Sequence, residues 1–228
     1  MPDFTGVVRV LNSDSGQPTI QLDGGGDESG GNLQLGGNGQ DGDLTLHDAQ
    51  GRQRLFASAD QAFLRFEQPD GRITLLLDGE RGDITLRGDI TLQGADCAEE
   101  FHLANNVEAG PGSVLVIDDE ETLTPCKVAY DRRVAGVVSG GGSYRPGIVL
   151  DGQGAAGRQP VAMLGKVFCR VDATYGPIAV GDLLTTSPTP GHAMAARDRV
   201  RTPGAVLGKA LCARTSGTGL IPILVALQ

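Results

Sequence analysis

The sequence predicts an all-β protein in two parts. A repetitive stalk over residues 1–95 would intertwine between three chains as a β-helix or β-prism, and a compact, β-barrel-like domain would follow over 96–228. Three observations predict this. Apolar and polar residues alternate with a period of two, as in Leu44-Thr45-Leu46 and Ile84-Thr85-Leu86, the pattern of a strand with one covered face. Turn residues punctuate the runs, and the chain holds 35 Gly and 12 Pro. Helical periodicity is almost absent: only Ala57–Phe66 invites a helical reading, and its Phe63 and Phe66 fit a strand edge as well.

The N-terminal part repeats itself. Gly31-Asn-Leu-Gln-Leu35 returns as Gly42-Asp-Leu-Thr-Leu46, and Gly82-Asp-Ile-Thr-Leu86 returns as Gly88-Asp-Ile-Thr-Leu92. Gly51-Arg-Gln-Arg-Leu-Phe56 returns as Gly71-Arg-Ile-Thr-Leu-Leu76, each copy behind a turn (Asp48-Ala-Gln, Gln68-Pro-Asp). Internal repetition marks a repeat architecture. Each unit reads turn then strand, because Gly tolerates positive φ and Asp or Asn bonds its own backbone. Units this short do not enclose a core within one coil of a single chain. One-faced strands need a partner layer, so leucines such as Leu33, Leu35, Leu44 and Leu46 are expected to bury against symmetry mates in a homotrimer. That arrangement also covers strand edges that would otherwise aggregate.

The repeats stop near residue 95. Strands are expected at Ser113–Ile117, Cys126–Tyr130, Val134–Ser139, Gly147–Leu150, Val161–Val171, Asp182–Thr186, Ala205–Ala213 and Leu220–Leu227, with Pro-Gly turns between several of them. This pattern reads as a barrel or sandwich. A weak duplication runs through it. Gly112-Ser-Val-Leu-Val116 leads to Val134-Ala-Gly136-Val-Val, and Gly181-Asp-Leu-Leu-Thr185 leads to Val206-Leu-Gly208-Lys-Ala.

Charge divides the chain in the same way. Of a formal net charge of −9, residues 1–95 carry 15 acidic residues against 7 Arg, and residues 96–228 are nearly neutral. An acidic stalk disfavours nucleic acid and anionic lipid. No apolar run reaches membrane-spanning length, and the N-terminus lacks the basic and apolar regions of a signal peptide. Synthesis and folding in the cytoplasm are expected, with release by lysis or as part of an assembled particle. The four cysteines, Cys97, Cys126, Cys169 and Cys212, show no CxxC pair and read as buried free thiols of a reducing compartment.

Acidic residues cluster at the junction: Asp96, Glu99 and Glu100. Paired carboxylates can divide acid and base roles when one pKa is raised, whereas acids after a strand are ordinarily just solvated. The stretch Asp96-Cys-Ala-Glu99-Glu-Phe101, then Gly112-Ser-Val-Leu-Val116, then Val134-Ala-Gly-Val-Val-Ser139, resembles the C-terminal domain of bacteriophage tail-spike and appendage proteins. The family's motif has the form Asp-aromatic-Ala-Glu-x-Phe, and here Cys97 stands in the aromatic position. The resemblance implies an intramolecular chaperone that trimerises a β-stalk and, in many members, then cuts itself off near the motif. It carries over Asp96 and Glu99 as the catalytic acids of that cut. The preceding Leu92-Gln-Gly-Ala95 lacks the Ser, Thr or Asn that would favour attack through the backbone.

The other motifs point to structure. Asp23-Gly-Gly-Gly-Asp-Glu28 and Gly36-Gly-Asn-Gly-Gln-Asp41 look like calcium loops but lack tandem copies, and they read as turns. Ser139-Gly-Gly-Gly-Ser143 has no Lys and opens no helix, so it is not a phosphate cradle. His47, His102 and His192 are scattered; an axial His repeated by symmetry would be the one route to a metal, and His47 is expected to point outward. No cofactor or metal is implied. With no Trp and three Tyr, a glycan-binding spike is the weakest of three readings, behind a structural trimer and a self-cleaving chaperone. The expected outside partners are a host surface or a particle baseplate.

Overall fold

The computed structural model describes residues 7–11, 18–23, 32–35, 41–104, 107–119, 121–152 and 157–227. Among them there is no α-helix; one 3-10 turn, Ala173–Tyr175, joins two strands. The chain forms two compact units, residues 1–91 and 92–228.

In the first unit, β1 (Val7–Leu11), β2 (Pro18–Asp23) and β3 (Asn32–Leu35) pair as an antiparallel meander. A second meander holds β4 (Leu44–His47), β5 (Gln53–Ser58), β6 (Phe63–Glu67), β7 (Ile73–Asp78) and β8 (Asp83–Leu86), in that order. Consecutive strands of this second meander pair with each other inside the chain. The turns explain it. Asp48 Oδ1 accepts from the backbone N–H of Gln50 and Arg52, and Gly51 N donates to Asp48 O at 2.9 Å with φ +75. Twenty residues on, Gly71 with φ +82 closes the same turn onto Gln68. Turns this tight fold each strand back on its predecessor. Of the two Gly-Asp-Ile-Thr-Leu copies, the first is β8, paired on β7. The second, at 88–92, forms no strand. The glycine clusters at 24–28 and 36–40 lie outside the described residues.

The second unit contains β9 (Asp96–His102), β10 (Val114–Ile117), β11 (Leu123–Pro125), β12 (Val134–Val138), β13 (Pro146–Leu150), β14 (Arg158–Asp172), β15 (Leu183–Thr186), β16 (Ala193–Ala195), β17 (Val206–Ala210) and β18 (Thr218–Ala226). The ring β14-β16-β15-β17-β18 closes through β18 on β14, giving a five-stranded barrel with extra strands attached. The spine is β14, 15 residues long. Its residues 158–165 pair with β9, and residues 164–172 pair with β18. The interior holds Val114, Val137, Val167, Leu184, Leu207 and Ile223, each at most 2 % exposed.

The weak duplication has a structural counterpart. β10 lies between β11 and β12, and β15 lies between β16 and β17. The register jumps opposite each glycine-bearing strand, at Leu115/Val116 and at Leu184/Thr185. A Cβ on Gly136 would stand 2.4 Å from the Ala162 carbonyl oxygen, and one on Gly208 would stand 2.1 Å from that of Leu224. Only glycine admits so close a backbone.

One expected strand fails. Cys126–Tyr130 is a turn, not a strand. Tyr130 takes φ +60, and its hydroxyl accepts the backbone N–H of Arg197 and Asp198, each at 2.9 Å. That side-chain clamp replaces the ladder a strand would need. The four thiols are free, but only Cys126 and Cys169 are buried; Cys97 is half-buried and Cys212 exposed.

Candidate functional site

The start of the second unit holds a buried carboxylate, Asp96. Residues 94–95 lead into β9, which lies between β13 and β14. Ala95 N donates to Arg145 O at 2.8 Å, and Lys166 N donates to Ala95 O at 2.9 Å. Glycines permit the approach: a Cβ on Gly94 would stand 2.1 Å from Gly147 Cα, and one on Gly165 would stand 2.7 Å from Ala95 O. Both flanking strands bulge here, with a register shift between Pro146 and Ile148 on one side and between Ala162 and Leu164 on the other. Bulges re-aim side chains beside functional sites.

Asp96, the first residue of β9, is 5 % exposed. Ser139 Oγ donates to both of its carboxylate oxygens, at 2.8 and 3.0 Å. Burial pushes the Asp96 carboxyl above its ordinary value, and the Ser139 hydroxyl pulls it partly back. A buried carboxylate facing a hydroxyl has the parts of a base and a nucleophile. Beside it, Leu92, Cys97, Ile148 and Leu164 line a shallow recess of about 200 Å³.

Glu99 lies elsewhere. Side chains three apart on a strand point to opposite faces, so Asp96 and Glu99 do not converge. Glu99 lines a cleft of about 660 Å³ with Glu100, His102, Asp151 and Arg158. The Arg158 side chain is 8 % exposed and its Nε sits 3.8 Å from Glu100 Oε2. Its Nη2 donates to the Glu100 carbonyl and to the Asp151 carboxylate. Arg158 Nε and Glu100 Oε2 are buried without a hydrogen-bond partner. Sequence reasoning missed Ser139 and Arg158 as partners. Ser139 closes the Val134–Ser139 strand motif, and its position there was the available signal.

The remaining candidates are structural in geometry. Gly140 and Gly142 take φ +84 and +56, and a Cβ on Gly142 would strike the Phe168 ring at 2.6 Å. The glycine run is thus a tight turn beneath Phe168. His47 and His102 are exposed, and His192 Nδ1 lies 2.7 Å from Pro190 O. Among the described residues no group of three or more His, Cys, Asp or Glu is placed to hold a metal. Burial raises the Cys126 thiol to about 11, and it raises Cys169 further, so both are unreactive. No helix among the described residues is long and apolar enough to cross a membrane.

A solved structure shares this fold. The match is to the crystal structure of the pre-mature bacteriophage phi29 gene product 12, with a TM-score of 0.51 and 16% identity over 68% of this chain. The match spans 24% of that chain, about a quarter of its length. No protein-family model matches, and no curated protein matches.

Proposed function

We propose that this chain is a structural protein of a bacteriophage or phage-derived particle, working as a homotrimeric spike or fibre. In this reading the 92–228 unit is the assembly domain. One observation carries it: every hydrophobic side chain buried among the described residues belongs to residues 98–225, and none to residues 41–91. The second unit has an interior of its own, while the described residues 41–91 show none. A domain that folds alone can gather three chains, after which the N-terminal sheets close with the entropic cost of association already met. The fold shared with a phage gene product supports the setting. Contact with a host surface or a baseplate belongs to the same proposal.

The test is the mass of the purified full-length protein, by light scattering in native buffer and by denaturing mass spectrometry. Three chain masses with intact polypeptide is the expected result, and a monomer overturns the reading.

A second reading is favoured by the buried Asp96–Ser139 pair beside residues 92–95. Here the trimer hydrolyses one of its own peptide bonds near 92–96: Asp96 takes a proton from a water that adds to the carbonyl carbon, the carbon–nitrogen bond breaks and the proton passes to the freed amine, with Glu99, on the other face, as a positioning residue. It predicts fragments split near residue 95, lost in Asp96→Asn and reduced in Glu99→Gln. Fragments that persist in Asp96→Asn sink it.

A further inference from the structure

The register of the five-stranded sheet sorts its side chains into one wholly apolar face and one mixed face. Directly paired residues share a face. Leu44 pairs with Ala57 and Leu46 with Leu55. Those partners pair onward with Leu64 and Phe66, then Leu77 and Leu75, then Ile84 and Leu86. The face therefore presents ten residues from five strands, all apolar. The other face is mixed: it carries Thr45, Phe56, Arg65, Leu76 and Thr85, with Ser58, Phe63 and Asp78 beside them, and the Arg65 guanidinium lies 5.0 Å from the Phe56 ring and 5.4 Å from the Phe63 ring.

The apolar face is periodic. Leu44, Leu64 and Ile84 follow one another at twenty residues, as do Leu46, Phe66 and Leu86; Leu55 and Leu75 fall between them. The surface thus repeats every second strand. It is open along its edge strands, where Ile84 is 70% exposed, Leu46 50%, and Leu44 and Leu86 38% each, and its six residues on β5–β7 are half-buried.

We propose that this face is where copies of the chain meet, with three β4–β8 sheets turning their apolar sides inward around a common axis. The proposal rests on the trimeric reading above and gives it a surface. The occupant follows from the chemistry. The ten side chains offer no donor, acceptor or charge, so a polar partner finds nothing to pair with. A second copy offers the same regular ridges. The rim does not oppose it, because Arg52 is paired to Asp48 at 2.9 Å and Arg72 to Asp70 at 2.7 Å within their own turns. Size argues for a ring rather than a pair. A stable two-body interface takes about 20–30 residues a side. A ten-residue face falls short of that alone, whereas around a threefold axis each face meets two others.

The experiment uses the full chain with Cys97→Ser and Cys212→Ser, into which Leu64→Cys or Thr85→Cys is placed. Mild oxidation should link chains through position 64, and not through position 85 on the opposite face. A companion variant, Leu75→Asp, should lose the three-chain mass that Thr85→Asp keeps. A trimeric parent that links through 85 but not 64, or that keeps its mass with Leu75→Asp, overturns this face and leaves the trimer standing. A monomeric parent overturns both. If Leu75→Asp does not fold, the cross-linking pair still decides.

Discussion

Residues 41–91 and residues 92–227 are written in the same strand grammar, yet one has an interior and the other does not. Both alternate apolar and polar residues, and both turn on glycines. In the second unit the apolar side chains pack into two buried clusters, so Leu207 in one and Leu115 in the other reach 0% exposure. In the β4–β8 sheet ten apolar side chains lie together on one side of one layer. A period of two states that a face is apolar; it does not state what lies across from it.

The sharpest way to break that comparison is one substitution made in both regions. Leu115→Ala should cost about 3–5 kcal/mol, because it empties a filled site. That cost should not depend on protein concentration in urea melts. Leu86→Ala, at 38% exposure, should cost under about 1 kcal/mol in the unassembled chain, and more as concentration drives association. Equal costs at all concentrations would erase the distinction between the regions.

A smaller effect is expected at the junction. Gly94→Ala forces a Cβ to 2.1 Å from Gly147 Cα, and should lower stability by about 1–3 kcal/mol. An unchanged melt would mean the 94–96 segment is not held as described.

The smallest effect is a change of pH dependence. The Asp96 carboxyl is raised above 3.8 in the folded state. A raised carboxyl stabilises the fold as its protonated form. Its contribution is complete below pH 3.8 and is lost as pH rises through the folded value. Asp96→Asn should remove that fall. Ser139→Ala should shift it to higher pH, since the opposing hydroxyl is gone. Urea midpoints across pH check both; identical curves for all three proteins would refute the buried pair.

Much of the fold was legible in the sequence. Val134–Val138, Pro146–Leu150 and Leu183–Thr186 lie within a residue or two of where alternation put strands. Two things were not legible. Cys126–Tyr130 has a strand's composition, but a distant pair of backbone amides captures the Tyr130 hydroxyl, and no local pattern announces that. Pairing within the chain at 41–91 depends on how tightly Asp48 and Gly51 close a turn, which spacing alone left open. At the site, the sequence pointed to Asp96 and Glu99 as a pair. Strand alternation separates them, and the residue that meets Asp96 lies 43 positions away.

The shared spine β14 has a mechanical consequence. The strand serves one set of partners along 158–165 and another along 164–172, so neither half of the second unit can be peeled away without loosening the other. Force or heat should find no soft seam between the two pseudo-repeats. The central amides of β14 should be among the last to exchange with solvent, released only when the whole unit opens.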